Sequence, residues 1–135
     1  MRTQAWWWGL PLAVLALVGI YMLRMYDPNL AGNPFLPCLF HQMTGLYCPG
    51  CGLTRAMHAL VHFDLQRAIR MNAFFILSAP IFGLLLLRMY RPLPKAMEAC
   101  VKPLSNPWLW VIAIPLFGIL RNLPWYPFYL LAPIA

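Results

Sequence analysis

MNAFFILSAPIFGLLLL, residues 71–87, lies between Arg70 and Arg88 and contains no charged side chain. At about 1.5 Å of rise per residue, an apolar helix of this length comes within a few ångströms of the hydrocarbon thickness of a bilayer. Pro80 and Gly83 mark the points where it is free to kink. Read as a transmembrane helix, this run sets the fold class. The composition agrees, at 62% hydrophobic and 10% charged residues over 135. A chain so apolar cannot solvate its surface as a soluble domain, whereas lipid can cover it.

Two more runs follow the same rule. Ala5 to Leu23 is uncharged, sits between Arg2 and Arg24, and has Trp6, Trp7 and Trp8 at one end and Tyr21 and Tyr26 at the other, as interfacial belts require. No small-x-small cleavage pattern follows it, so it reads as a retained anchor and not a signal peptide. Residues 103–120 form the third span, closed by Arg121. Between the first two lie a Pro/Asn/Gly linker, residues 27–37, and a Cys-rich segment, residues 38–70. Within that segment Gly52 to Phe63 predicts a short helix, and Asp64 an N-cap for a helix that starts near Leu65 and enters the membrane at Met71. Residues 88–106 read as a basic, proline-broken connection. The proline-rich tail, residues 122–135, folds back at the interface.

The expected architecture is therefore an all-α membrane protein of one domain, with three transmembrane helices (5–23, 71–87 and 103–120). An interfacial amphipathic helix follows the Cys-rich loop. The net charge of +7 is distributed at the ends of apolar runs and not along one stripe. That favours the lipid bilayer as partner over nucleic acid. A membrane-protein partner or a second copy of the chain is left open. Arg2, Arg88, Arg91, Lys95 and Lys102 fall on one side of such a topology, and Arg24, Arg55, Arg67, Arg70 and Arg121 on the other. The free amino terminus tips the balance toward a cytoplasmic N-terminus and an extracytoplasmic Cys-rich segment.

Three of the four cysteines and all three histidines lie in residues 38–70. Cys38-x-x-His41 and Cys48-Pro-Gly-Cys51 are two close pairs with a short spacer. Tetrahedral zinc needs such an arrangement, since each pair grips the ion from one tight turn. His58 is an alternative fourth ligand. A redox reading uses Cys48 and Cys51, with Cys51 at a helix start and Arg55 one turn on, both of which favour its thiolate. A third reading staples Cys38 to Cys48 or Cys51 as a structural disulfide.

From Cys51 onward, Thr54, Arg55, His58 and His62 recur at helical spacing as a polar face, opposite Leu53, Met57, Leu60 and Val61. Such a helix would lie along the membrane surface. Cys51 and His58 are two turns apart, about 10 Å, which is too far for a nucleophile and its base. No catalytic acid–base pair stands out, so no enzymatic activity is assigned. Arg24, Arg55 and Arg121 fall at one face of the membrane, and a cluster of three arginines there could bind a lipid headgroup or another anion.

Pro37-Cys38, Thr44-Gly45 and CPGCGLTRA at Cys48 to Ala56, with Asp64, Asn72 and Arg121-Asn122-Leu123-Pro124, resemble the signature of a family of small bacterial membrane proteins of unknown function. Ala73 stands where that pattern would carry a proline. The resemblance implies a multi-span protein of the bacterial inner membrane and no particular activity, substrate or cofactor. The zinc-like site remains an inference from the Cys and His spacing.

Overall fold

Asp64 does what its position predicts. Its carboxylate accepts from the Arg67 N–H at 2.9 Å and starts a helix at Leu65. That helix stops after seven residues. Asn72 leaves the helical conformation, and its side chain accepts from the Phe75 N–H at 3.0 Å, so a new helix begins at Ala73. The continuous helix expected from Leu65 into the membrane is thus two helices joined at a capping asparagine. Asn competes with helical hydrogen bonding through its own side chain, which makes it a natural break.

The structure, a computed structural model, describes residues 5–133, with side chains from Gly9 onward. Arg2 and the rings of Trp6, Trp7 and Trp8 lie outside what is described. In order, the helices are α1 (Ala5–Met25), α2 (Leu39–Thr44), α3 (Leu53–Val61), α4 (Leu65–Met71), α5 (Ala73–Tyr90), α6 (Lys95–Leu104) and α7 (Pro107–Leu120). A 3-10 turn (Phe128–Leu131) closes the chain. Among the described residues there is no strand.

Among the described residues one helix, α5, is long and apolar enough to cross a bilayer, and the described part of α1, Gly9–Met25, is apolar but shorter. The third expected span is bent: α6 and α7 meet at 61°. The cause is local. Pro107 has no N–H to continue α6, and Asn106 caps α7 by accepting from the Trp108 N–H at 3.1 Å. The connection of residues 88–106, expected to be irregular, contains α6. That helix is docked on α5 by an Arg88–Glu98 ion pair at 2.8 Å and by buried Val101. Short α2, also unforeseen, carries His41.

The core is small and sits at one end. Ala56 and Ala59 of α3, Ala68 and Met71 of α4 and Ile76 of α5 are buried together, with Leu60 and Phe75 against them. Alanines let α3 and α4 approach closely. The buried stripe of α3 is therefore its alanine edge, while Met57, on the apolar face expected at the membrane surface, is exposed. Away from this junction the apolar helices are bare: Leu77 is 62% exposed on α5 and Ile112 is 63% exposed on α7. The fold therefore fixes residues 47–72 firmly and leaves wide apolar flanks.

Candidate metal centre

The turn after Cys48 is built by its own sequence. The Cys51 N–H donates to Cys48 O at 3.0 Å, and the Cys48 N–H donates to Cys51 Sγ at 3.2 Å. Gly52 follows at φ +80, a left-handed conformation that glycine adopts without strain. No other residue fits there, since a Cβ would stand 2.5 Å from Met71 O and 3.2 Å from Pro133. Gly118 of α7 makes the matching concession, because a Cβ there would meet the Pro49 ring at 2.9 Å. Two glycines thus let the turn sink between α4 and α7.

Side-chain donors then hold its carbonyls. The Asn72 amide donates to Pro49 O at 2.9 Å and to Cys51 O at 3.3 Å. Arg121, 1% exposed at the end of α7, donates through Nη1 to Cys48 O, Pro49 O and Cys51 O at 2.9, 3.3 and 3.1 Å. Its Nη2 reaches Met71 O at 3.4 Å, and the guanidinium lies 5.0 Å from the Phe117 ring centre. Asn122 binds both backbone groups of Tyr47 at 2.8 Å. Arg121 was expected on the cysteine side, in an anion-binding cluster with Arg24 and Arg55; Asn72 and Asn122 were given no role at the site. Their signal was a polar group set in an apolar run, at Asn72 and at Arg121-Asn122.

The clamped turn brings three sulfurs together. Cys51 Sγ lies 3.1 Å from Cys38 Sγ and 3.2 Å from Cys48 Sγ, and Cys38 and Cys48 are 3.3 Å apart. All are free thiols. Cys38 arrives from the start of α2, which the chain reaches after residues 27–37. With zinc–sulfur bonds of about 2.3 Å, tetrahedral angles put thiolates about 3.8 Å apart, so the triangle needs to widen by only about half an ångström. The three residues are close enough to hold one metal ion. The thiols line a cleft of about 580 Å³, whose walls include Phe35, Leu36, His41 and Arg55.

The other expected ligands sit elsewhere. His41 Nδ1 donates to Leu46 O at 3.2 Å, and its ring stacks on Tyr47 at 4.6 Å, outside the group of mutually close sulfurs. His58 is turned toward α1, where Nδ1 donates to Leu23 O at 2.7 Å and Nε2 stands 3.8 Å from Asp27. The His62 ring lies against it, tilted by 39°, with ring centres 4.4 Å apart. Arg24 donates to Val61 O at 3.1 Å, so Arg24 and Arg121 serve separate sets of carbonyls. Cys100 is exposed on α6 and takes no part.

The reactivity order expected for the thiols is reversed. Burial, and then hydrogen bonding to Cys38 and Cys48, pushes the Cys51 thiol up to about 12. The Cys38 thiol is held below its ordinary value, mainly because Cys51 donates to it and then because of the His41 N–H. Cys51 is therefore the donor of the trio and Cys38 the acceptor. A helix start lowers a thiol only if solvent or a donor also reaches it, and Cys51 is 5% exposed.

Residues 38–86 match a family model described as "Protein of unknown function (DUF2752)". No curated protein and no solved structure matches the chain. The matched span starts at the first cysteine and ends within α5. It contains the three thiols, Gly52 and Asn72, but not Arg121, and it supports placing this part of the chain in an uncharacterised domain family.

Proposed function

We propose that the protein is an integral membrane protein that holds one thiophilic divalent ion, zinc or a similar metal, through Cys38, Cys48 and Cys51 at the membrane face. The observation that carries this is the triangle of sulfurs at 3.1–3.3 Å, held from below by Arg121 and Asn72. Thiolates suit zinc and other soft ions. Charge also favours it: three thiolates and a divalent ion leave a net −1, beside one buried guanidinium. Burying a cation is costly unless charge and hydrogen bonds compensate it. Burial works against the charge of Arg121, while negative charge on Cys51 and Cys48 works for it.

In this reading α1, α5 and the bent α6–α7 pair sit in the inner membrane of a bacterium, with the N-terminus in the cytoplasm and the thiol site outside. The exposed apolar flanks of α1, α5 and α7 support it. The protein then serves as a scaffold or accessory protein that carries the ion at its Cys-rich segment. A second reading, thiol–disulfide exchange, is favoured by the same sulfur contacts, with Cys38 as the attacking thiol instead of Cys51.

Elemental analysis of the detergent-purified chain, beside a count of free thiols, tests the proposal. About one metal per chain, with three thiols masked until the metal is stripped, is the expected result. No metal, with two thiols recovered only after reduction, would overturn it and leave a disulfide, either an inert staple or one that exchanges.

A further inference from the structure

We infer that the metal's fourth ligand comes from outside the chain, and that it is the thiolate of a small molecule bound in the cleft. This rests on the metal reading above. Among the described residues, the one group of three or more whose ligand atoms all lie within 4.8 Å of one another is Cys38, Cys48 and Cys51, with no fourth member. His41, the nearest candidate by sequence, is held away by Leu46 O and by stacking on Tyr47. The three thiols line the cleft, so the side of the ion not covered by protein sulfur faces it. Three protein ligands and an exchangeable fourth is the pattern of working zinc sites, whereas structural sites are closed by four protein groups.

The cleft indicates what kind of ligand enters. Its volume, about 580 Å³, is that of a small-molecule site. Phe35, Leu36 and Pro37 supply apolar wall, and Arg55 supplies positive charge. The charge of Arg55 acts through space whatever its own hydrogen bonds. A divalent ion with four thiolates carries −2, which buried Arg121 and cleft-lining Arg55 together match. A soft, all-sulfur site also favours sulfur over oxygen for its last position. On binding, the incoming thiol loses its proton to solvent, its sulfur bonds to the metal, and no electron changes hands.

The test uses the full chain in detergent, stripped and reloaded with Co(II), and titrated with 2-mercaptoethanol or with acetate. Co(II) absorption reports both coordination number and sulfur count. One Co(II) per chain is expected, with sulfur-to-metal charge-transfer absorbance rising to saturation by about one third with the thiol, as three thiolates become four, and staying flat with acetate. His41→Ala should leave the starting spectrum unchanged. Arg55→Gln should retain Co(II) but weaken the thiol titration several-fold. A spectrum that is four-coordinate from the start and indifferent to thiol, or one changed by His41→Ala, overturns the inference and leaves the metal reading intact. Loss of Co(II) to the added thiol also overturns it. Failure to take up Co(II) at all overturns the metal reading itself.

Discussion

The side chain of Asn122 makes both backbone hydrogen bonds of Tyr47: Oδ1 accepts its N–H, and Nδ2 donates to its carbonyl, each at 2.8 Å. A third bond, from Nδ2 to Gly118 O at 2.7 Å, ties the pair to α7. The residue before the first thiol of the turn is thereby paired as in a sheet, by one side chain 75 positions away.

Asn122→Ala leaves the Tyr47 N–H and carbonyl without this partner, and should cost about 3 kcal/mol of stability. Asn122→Asp keeps the acceptor but sets a carboxylate oxygen against the Tyr47 and Gly118 carbonyls. It should be at least as damaging at neutral pH and partly recover in acid, where the carboxyl regains a donor. Thermal unfolding in detergent at two pH values measures both. An aspartate variant as stable as the parent at pH 7 would refute the pairing.

Gly52 and Gly45 form a controlled comparison. Both have positive φ, +80 and +72, but only Gly52 has atoms where a Cβ would go, with Met71 O at 2.5 Å. Gly45→Ala should cost only the left-handed penalty, about 1 kcal/mol. Gly52→Ala should cost clearly more, about 3 kcal/mol or above, because backbone must also move. Equal melting temperatures for the two variants would mean that the turn is not seated against α4.

Local chemistry was legible in the sequence. The Asp64 cap, the helix after Gly52 and the grouping of Cys38, Cys48 and Cys51 follow from residues a few positions apart. What failed was long range or subtle. His41 sits three residues from Cys38, as a ligand pair should, yet short α2 and the Tyr47 ring take it elsewhere. Arg121 looked like an interfacial arginine at a helix end, and only the packing of α7 on Pro49 turns it inward. The Asn72 break lies inside an otherwise apolar pattern that carries no other stop signal. The alanine edge of α3 went unread because its hydrophobic periodicity follows large side chains, while close packing against α4 selects small ones.

Arg121 satisfies four carbonyls from Cys48, Pro49, Cys51 and Met71 with one planar group. Lysine places three donors on a single nitrogen, which can serve the carbonyls that Nη1 holds but not the Met71 carbonyl at Nη2, and it lacks the planar face that lies over Phe117. Arg121→Lys should therefore retain the charge yet lose stability and slow metal uptake. Arg121→Met, which removes charge and donors together, should lose about 3 kcal/mol or more and abolish stable metal retention. The measurement is metal content per folded chain after gel filtration. Full retention by Arg121→Met would show that the cation does not support the thiolates.

In the metal-stripped, reduced protein the thiols should react in a fixed order. Cys38 accepts the Cys51 hydrogen bond, faces the His41 N–H and is partly exposed, which favours its thiolate below the ordinary value of 9.0. Cys51 is buried and pushed up to about 12, so it stays protonated across the working range. For an acidic group the sign is direct: a lowered value means anion, and reaction, at lower pH, and a raised value delays both. Brief iodoacetamide treatment followed by peptide mass mapping should find Cys38 modified at lower pH than an ordinary cysteine, and Cys51 protected until the protein unfolds or the pH approaches 12. Cys38→Ala removes the acceptor of that hydrogen bond and should leave Cys51 still unreactive, because burial is its larger cause. Early labelling of Cys51 in the folded parent would contradict this order and restore the assignment of Cys51 as the reactive thiol.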